Sequence, residues 1–184
     1  MKKIALVILA SLLLTTSIVG YSEELSEELS EGIVRVHIIA NSNSPADQAV
    51  KIKVRDEVLK AMESFATKEE VGANLDLFEQ IADSVLGEEG FEYQSRAEMG
   101  MFDFPTKHYD GFSLPKGRYN AVRIKLGDAE GDNWWCVLFP PLCMVEGATE
   151  QEELLRETFG ENYDVISQEG SLPVRIKFKI AELF

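Results

Sequence analysis

Ile33-Val34-Arg35-Val36-His37-Ile38-Ile39-Ala40 runs into Asn41-Ser42-Asn43-Ser44 and then into Pro45-Ala46-Asp47. The first eight residues are mostly β-branched and apolar and end in turn formers, which predicts a buried strand. Ser44 is placed to cap a helix. Pro45 fills the first helical position, where no N–H is needed, and Asp47 brings negative charge to the first turn. Val50, Val54, Val58, Met62 and Phe65 then recur at three- or four-residue spacing, so an amphipathic helix should extend to about Ala66. A buried strand followed at once by a long one-sided helix calls for a layered fold.

Working outward, Thr67-Lys68-Glu69-Glu70 has the form of a capping box and opens a second helix. Leu75, Phe78, Ile81, Ala82 and Val85 line its apolar face, with Gly87 as its stop. From Phe91 the period changes to two. Phe91-Glu92-Tyr93-Gln94 starts an alternating stretch that resumes near Met99-Gly100-Met101-Phe102, and Arg118–Leu126 alternates imperfectly. Trp134–Phe139 is almost wholly apolar and reads as a central strand. Glu150–Phe159 reads as a short helix and Val174–Ile180 as a final strand facing water on one side. The order β-α-α-β-β-β-α-β predicts an α+β single domain over residues 33–184. Its sheet should be mainly antiparallel or mixed and packed with two or three helices.

The N-terminus points to a compartment. Lys2 and Lys3 precede the uncharged run Ile4–Gly20, the form of an export signal over residues 1–22, with an uncleaved anchor as the alternative. Residues 23–32 are an acidic spacer carrying Glu23, Glu24, Glu27 and Glu28, and the charge asymmetry places the remainder outside the cytoplasm. The 184-residue chain has 18 Lys+Arg against 32 Asp+Glu and a formal charge of −14. Losing the two lysines of residues 1–22 takes the exported part to −16. Such a surface argues against nucleic acid and against anionic lipid, leaving the N-terminal segment as the membrane contact.

Several constellations merit attention. Cys136 and Cys143 are too few for a four-cysteine zinc site and form no CxxC. Extended, they would lie roughly 23 Å apart, whereas a disulfide needs about 4.4–6.8 Å. A bridge therefore requires the chain to reverse at Pro140-Pro141. We expect that bridge, with two buried thiols as the alternative. Asn133-Trp134-Trp135 puts adjacent tryptophans on opposite faces of a strand, one for the core and one for either a second layer or a binding surface. Arg35 and His37 share a face of the first strand. The loop and helix start that follow present Asn41, Ser42, Ser44 and Asp47, a set suited to capping or to meeting a partner. Lys107, His108, Tyr109 and Lys116 lie on an expected exposed loop, and Gly127–Gly131 reads as a five-residue hairpin rather than a calcium loop. GxSxG, HExxH, P-loop and GxGxxG motifs are absent from the sequence, and no residue is nominated as catalytic, metal-binding or cofactor-binding.

Several blocks together resemble the stage II sporulation protein R family. They are His37–Gln48 followed by Lys51–Asp56, Phe104–Lys107, Leu114–Tyr119, Asn133–Cys143 and Ile176–Ile180. They keep the family's order over about residues 35–181. The resemblance implies an intercellular signal of endospore-forming bacteria, exported into the space between forespore and mother-cell membranes. There it would activate a membrane-bound aspartyl peptidase that processes the sigma-E factor precursor. The implied protein is not itself an enzyme. A different class, an exported cell-wall-binding module or a hydrolase without a recognisable motif, is the alternative reading.

Overall fold

The computed structural model describes residues 30–167 apart from 31, 66, 110, 146, 161 and 162. The export segment, most of the acidic spacer and the expected strand Val174–Ile180 lie outside the described residues. Strand β1 is Val34–Ile39. Helix α1 is Pro45–Met62, capped as expected, with the Ser44 hydroxyl accepting the Asp47 N–H. Thr67 and Glu70 close a reciprocal capping box at the start of α2, Lys68–Ala73.

One predicted helix is two. Asn74 ends α2 and begins α3, Leu75–Glu88. Its side-chain amide donates to the Glu70 carbonyl at 2.7 Å, the local backbone bonding that makes asparagine a poor helix-interior residue. The break also turns Gly72 toward the sheet, where a Cβ would come within 3.0 Å of the Met99 sulfur.

The remaining elements are β2 (Ser95–Phe104), β3 (Lys107–His108), β4 (Ser113–Leu114), β5 (Gly117–Leu126), β6 (Asn133–Phe139), α4 (Ala148–Phe159) and the short turn α5 (Tyr163–Ile166). The main sheet has the order β2-β5-β1-β6, and β3 pairs with β4 alone. β1 runs parallel to β5 and antiparallel to β6, and β2 is antiparallel to β5, so the sheet is mixed and the fold α+β as expected. Phe91–Gln94 precedes the strand rather than beginning it.

Trp134–Phe139 is not central: among the described residues β6 ends the sheet. Its apolar character comes from burial on both faces, not from pairing on both edges. Trp134 and Cys136 pack toward the helices, while Trp135 and Val137 pack toward the second layer. Gly127–Gly131 is not a hairpin either. β1 lies between β5 and β6, so this segment crosses over the end of β1.

The helices cover one face of the sheet, where Val36, Ile38, Val122 and Ile124 meet Val54 and Val58 of α1 and Phe78 of α3, all fully buried. Truncating a ring such as Phe78 to alanine in such packing costs about 3–5 kcal/mol. Among the described residues the opposite face is covered at one end. There β3–β4, α4 and α5 bring Phe112, Leu114, Leu155 and Phe159 against Tyr119, Ala121 and Val137.

Candidate functional site

The Asn41–Asp47 segment leaves the end of β1 and is spent largely on internal bonds. Asp47 is 6% exposed. Its carboxylate accepts from the Ser42 hydroxyl, from the Asn41 amide at 3.2 Å and from the Tyr93 hydroxyl at 2.6 Å. Burial alone would raise its pKa, but the bonds from Ser42, Tyr93, Asn41 and Ser44 outweigh that and hold it below the usual carboxylate range. The same bond, after burial, pushes the Tyr93 phenol up.

This loop latches the crossover. The Asn41 amide oxygen takes the Asp128 N–H at 2.9 Å and the Asn43 amide oxygen takes the Asp132 N–H at 2.6 Å. The Lys51 ammonium, 5% exposed, donates to the Asp132 carbonyl at 2.9 Å. A Cβ at Gly131 would collide with the Ser42 carbonyl, and Gly127 has φ +55° with the Asn41 amide where its Cβ would stand. Asn41, Ser42, Ser44 and Asp47 are thus brought together, with Ser44 exposed and Asp47 turned inward. Tyr93 completes the network from 46 residues away, a partner that no sequence spacing announces.

The second cluster lies on the sheet face opposite the helices. Arg35 is 0% exposed. One Nη donates to the Tyr109 hydroxyl at 2.6 Å, and the guanidinium lies 4.1 Å from the Phe104 ring centre and 5.1 Å from that of Tyr119. Its Nε and other Nη have no hydrogen-bond partner among the described residues. Burial lowers its pKa, and Tyr109 and Tyr119 partly restore it. Two residues on, His37 stacks on Trp135 at 3.6 Å and bonds the Asn133 amide oxygen through Nε2 at 2.6 Å. Burial drives the His37 pKa down to about 4, Asn133 opposes this, and Arg123, Arg35 and Lys107 add to it. His37 is therefore neutral near pH 7, Nε2–H donating to Asn133.

Trp134 and Trp135 do point to opposite faces: Arg55 lies over Trp134 at 5.4 Å, and Lys107 over Trp135 at 5.2 Å. Cys136 and Cys143 are joined in a disulfide, their Cα atoms 5.9 Å apart across the reversal at Pro140-Pro141. The loop carrying His108 is a short hairpin in which His108 Nδ1 meets the Ser113 hydroxyl at 2.8 Å. Among the described residues no group of three or more His, Cys, Asp or Glu side chains is placed to hold a metal ion.

The sequence model of the family described as stage II sporulation protein R (spore_II_R) matches residues 30–149. The chain belongs to that family. Its matched span contains both clusters, the crossover and the disulfide. Stage II sporulation protein R of Bacillus subtilis (strain 168) is 33% identical over 173 residues, covering 83% of this chain and 77% of that protein. No solved structure matches. Membership makes this a sporulation protein, and the spore_II_R match ends at the start of α4, so the helices that close the second layer lie beyond it.

Proposed function

We propose that this chain is an exported protein ligand that activates a membrane-bound aspartyl peptidase, which in turn processes the sigma-E factor precursor in the mother cell. The observation that carries the reading is the N-terminus of a sporulation-family chain: Lys2-Lys3 followed by the uncharged run Ile4–Gly20. That is the form of a segment that sends the following domain across a membrane. The chain would act between forespore and mother cell, secreted or held by its N-terminal segment, and the peptide-bond chemistry would belong to the peptidase.

An activator of this kind must bind the active state of its target more tightly than the inactive one. A tenfold shift needs about 1.4 kcal/mol of differential binding. The partner-facing candidates are the Asn41, Ser42, Ser44 and Asp47 segment and the Asn133, Trp134 and Trp135 segment. The two meet at one end of the sheet, since Asn43 bonds the backbone at Asp132 beside Asn133. The test is co-expression of this chain with the peptidase and its precursor substrate in a non-sporulating host. Processing that depends on the chain is expected, and unprocessed precursor with all three proteins present would refute the reading.

A further inference from the structure

Among the described residues the sheet face opposite the helices is only partly covered, and its open end carries charge of the sign that the chain as a whole lacks. On that face Arg96 lies across from Lys125 and Glu98 across from Arg123, with His37 and Trp135 in the next two strands of the same row as Arg123. Glu98 is the one acid of this group. Its Oε1 already receives Arg123 and Lys125, each at 2.7 Å. Arg96 is exposed and has no ion pair among the described residues. Lys107 reaches over Trp135 from the hairpin, and the buried Arg35, lying on the Phe104 ring, has two nitrogens without a hydrogen-bond partner among the described residues. The floor between the cations is aromatic: Phe102 and Trp135 are partly buried, and Arg123 lies 3.9 Å from the Phe102 ring centre.

On a protein of formal charge −14 this is an island of excess cation around two flat rings. We propose that it docks an acidic segment of a partner protein. Arg96, Lys125 and Lys107 meet its carboxylates, and Phe102 and Trp135 its apolar side chains. This rests on the reading above in taking the chain to be a protein ligand, and it adds the face used and the chemistry that the face selects. Charge complementarity names the occupant. An anionic bilayer would have to accept the acidic remainder of the surface along with the island.

The full-length chain, held in neutral detergent micelles and carrying Trp134→Phe, reports from Trp135 alone. The probe is a twelve-residue peptide of alternating Glu and Leu, with a Lys/Leu peptide of equal length as control. The acidic peptide should give a saturable change in Trp135 emission, weaker at high salt, and the basic one none. Arg96→Glu with Lys125→Glu should weaken binding at least tenfold at an unchanged thermal midpoint; if that variant does not fold, Arg96→Gln with Lys125→Gln should weaken it at least threefold. The proposal is overturned by no saturable response, or by undiminished affinity in the folded variant. It is equally overturned if phosphatidylglycerol added to the micelles gives as strong a response as the peptide, showing a lipid site. Binding that emerges only when Glu23, Glu24, Glu27 and Glu28 are changed to Gln would also overturn it, showing the spacer to be the occupant. The titration needs no peptidase. A null result there refutes the docking face alone, and failed precursor processing with intact peptide binding refutes the activator reading alone.

Discussion

Moving the protein from pH 7.5 to 5.0 should expose the cost of keeping His37 neutral. Its imidazole is 6% exposed, stacked on Trp135 and bonded to Asn133, with a pKa of about 4. In the unfolded chain the value returns to about 6.5. Below that pH the unfolded chain binds a proton that the folded one refuses, so the contribution is whole above about 6.5 and is lost as the pH falls toward about 4. Those two values give a loss of about 2 kcal/mol by pH 5.0 and about 3 kcal/mol once both forms are protonated. With a urea m-value of about 2 kcal/mol/M, the unfolding midpoint should fall by about 1 M between pH 7.5 and 5.0. Ordinary carboxylates titrate mainly below that window. His37→Phe keeps an aromatic ring against Trp135 and should flatten most of the dependence. Equal midpoint shifts in wild type and His37→Phe would refute the argument.

Asp47→Ala strands the Ser42 and Tyr93 hydroxyls and the Asn41 amide, which should cost about 3 kcal/mol and lower the thermal midpoint by about 6–12 °C, read by calorimetry. A midpoint within a degree of wild type would show that the network carries no stability. Reducing the Cys136–Cys143 bridge should remove roughly 2.5 kcal/mol by the chain-entropy relation, and mass measurement after alkylation, with and without reductant, should show two thiols appearing only on reduction. A form lacking residues 1–22 should stay in the producing cell and fail to signal, and full signalling from it would overturn the export reading.

Much of the fold is legible because it is written in local chemistry. The Ser44 cap, the Thr67–Glu70 box and the β-branched run of β1 each act within a few residues, and the structure carries all three. The reversal that closes the disulfide is local too. Apolarity on both faces of Trp134–Phe139 was equally visible, but a run buried on both faces does not reveal whether both edges are paired. The break at Asn74 was hidden because one side-chain bond decides it against a continuous apolar stripe. In the loop, sequence identifies Asn41, Ser42, Ser44 and Asp47 as a polar set at a helix start. It does not say that the backbone amides of Asp128 and Asp132 would arrive there to be accepted by Asn41 and Asn43, or that the Tyr93 hydroxyl would reach Asp47.

The place of β1 has a consequence for how the chain is made. Val34 pairs with Asn120, 86 residues later, and with Phe139 on its other side. The earliest of the described strands to emerge from synthesis therefore lies inside the sheet and must wait, backbone unpaired, for its neighbours to follow. Such long-range closure is slow and leaves an apolar strand open meanwhile. Helices α1 to α3 are the next segments to arrive, and their apolar stripes are the ones that cover Val36 and Ile38 in the finished fold. They can shelter one face of β1 long before its edges find partners.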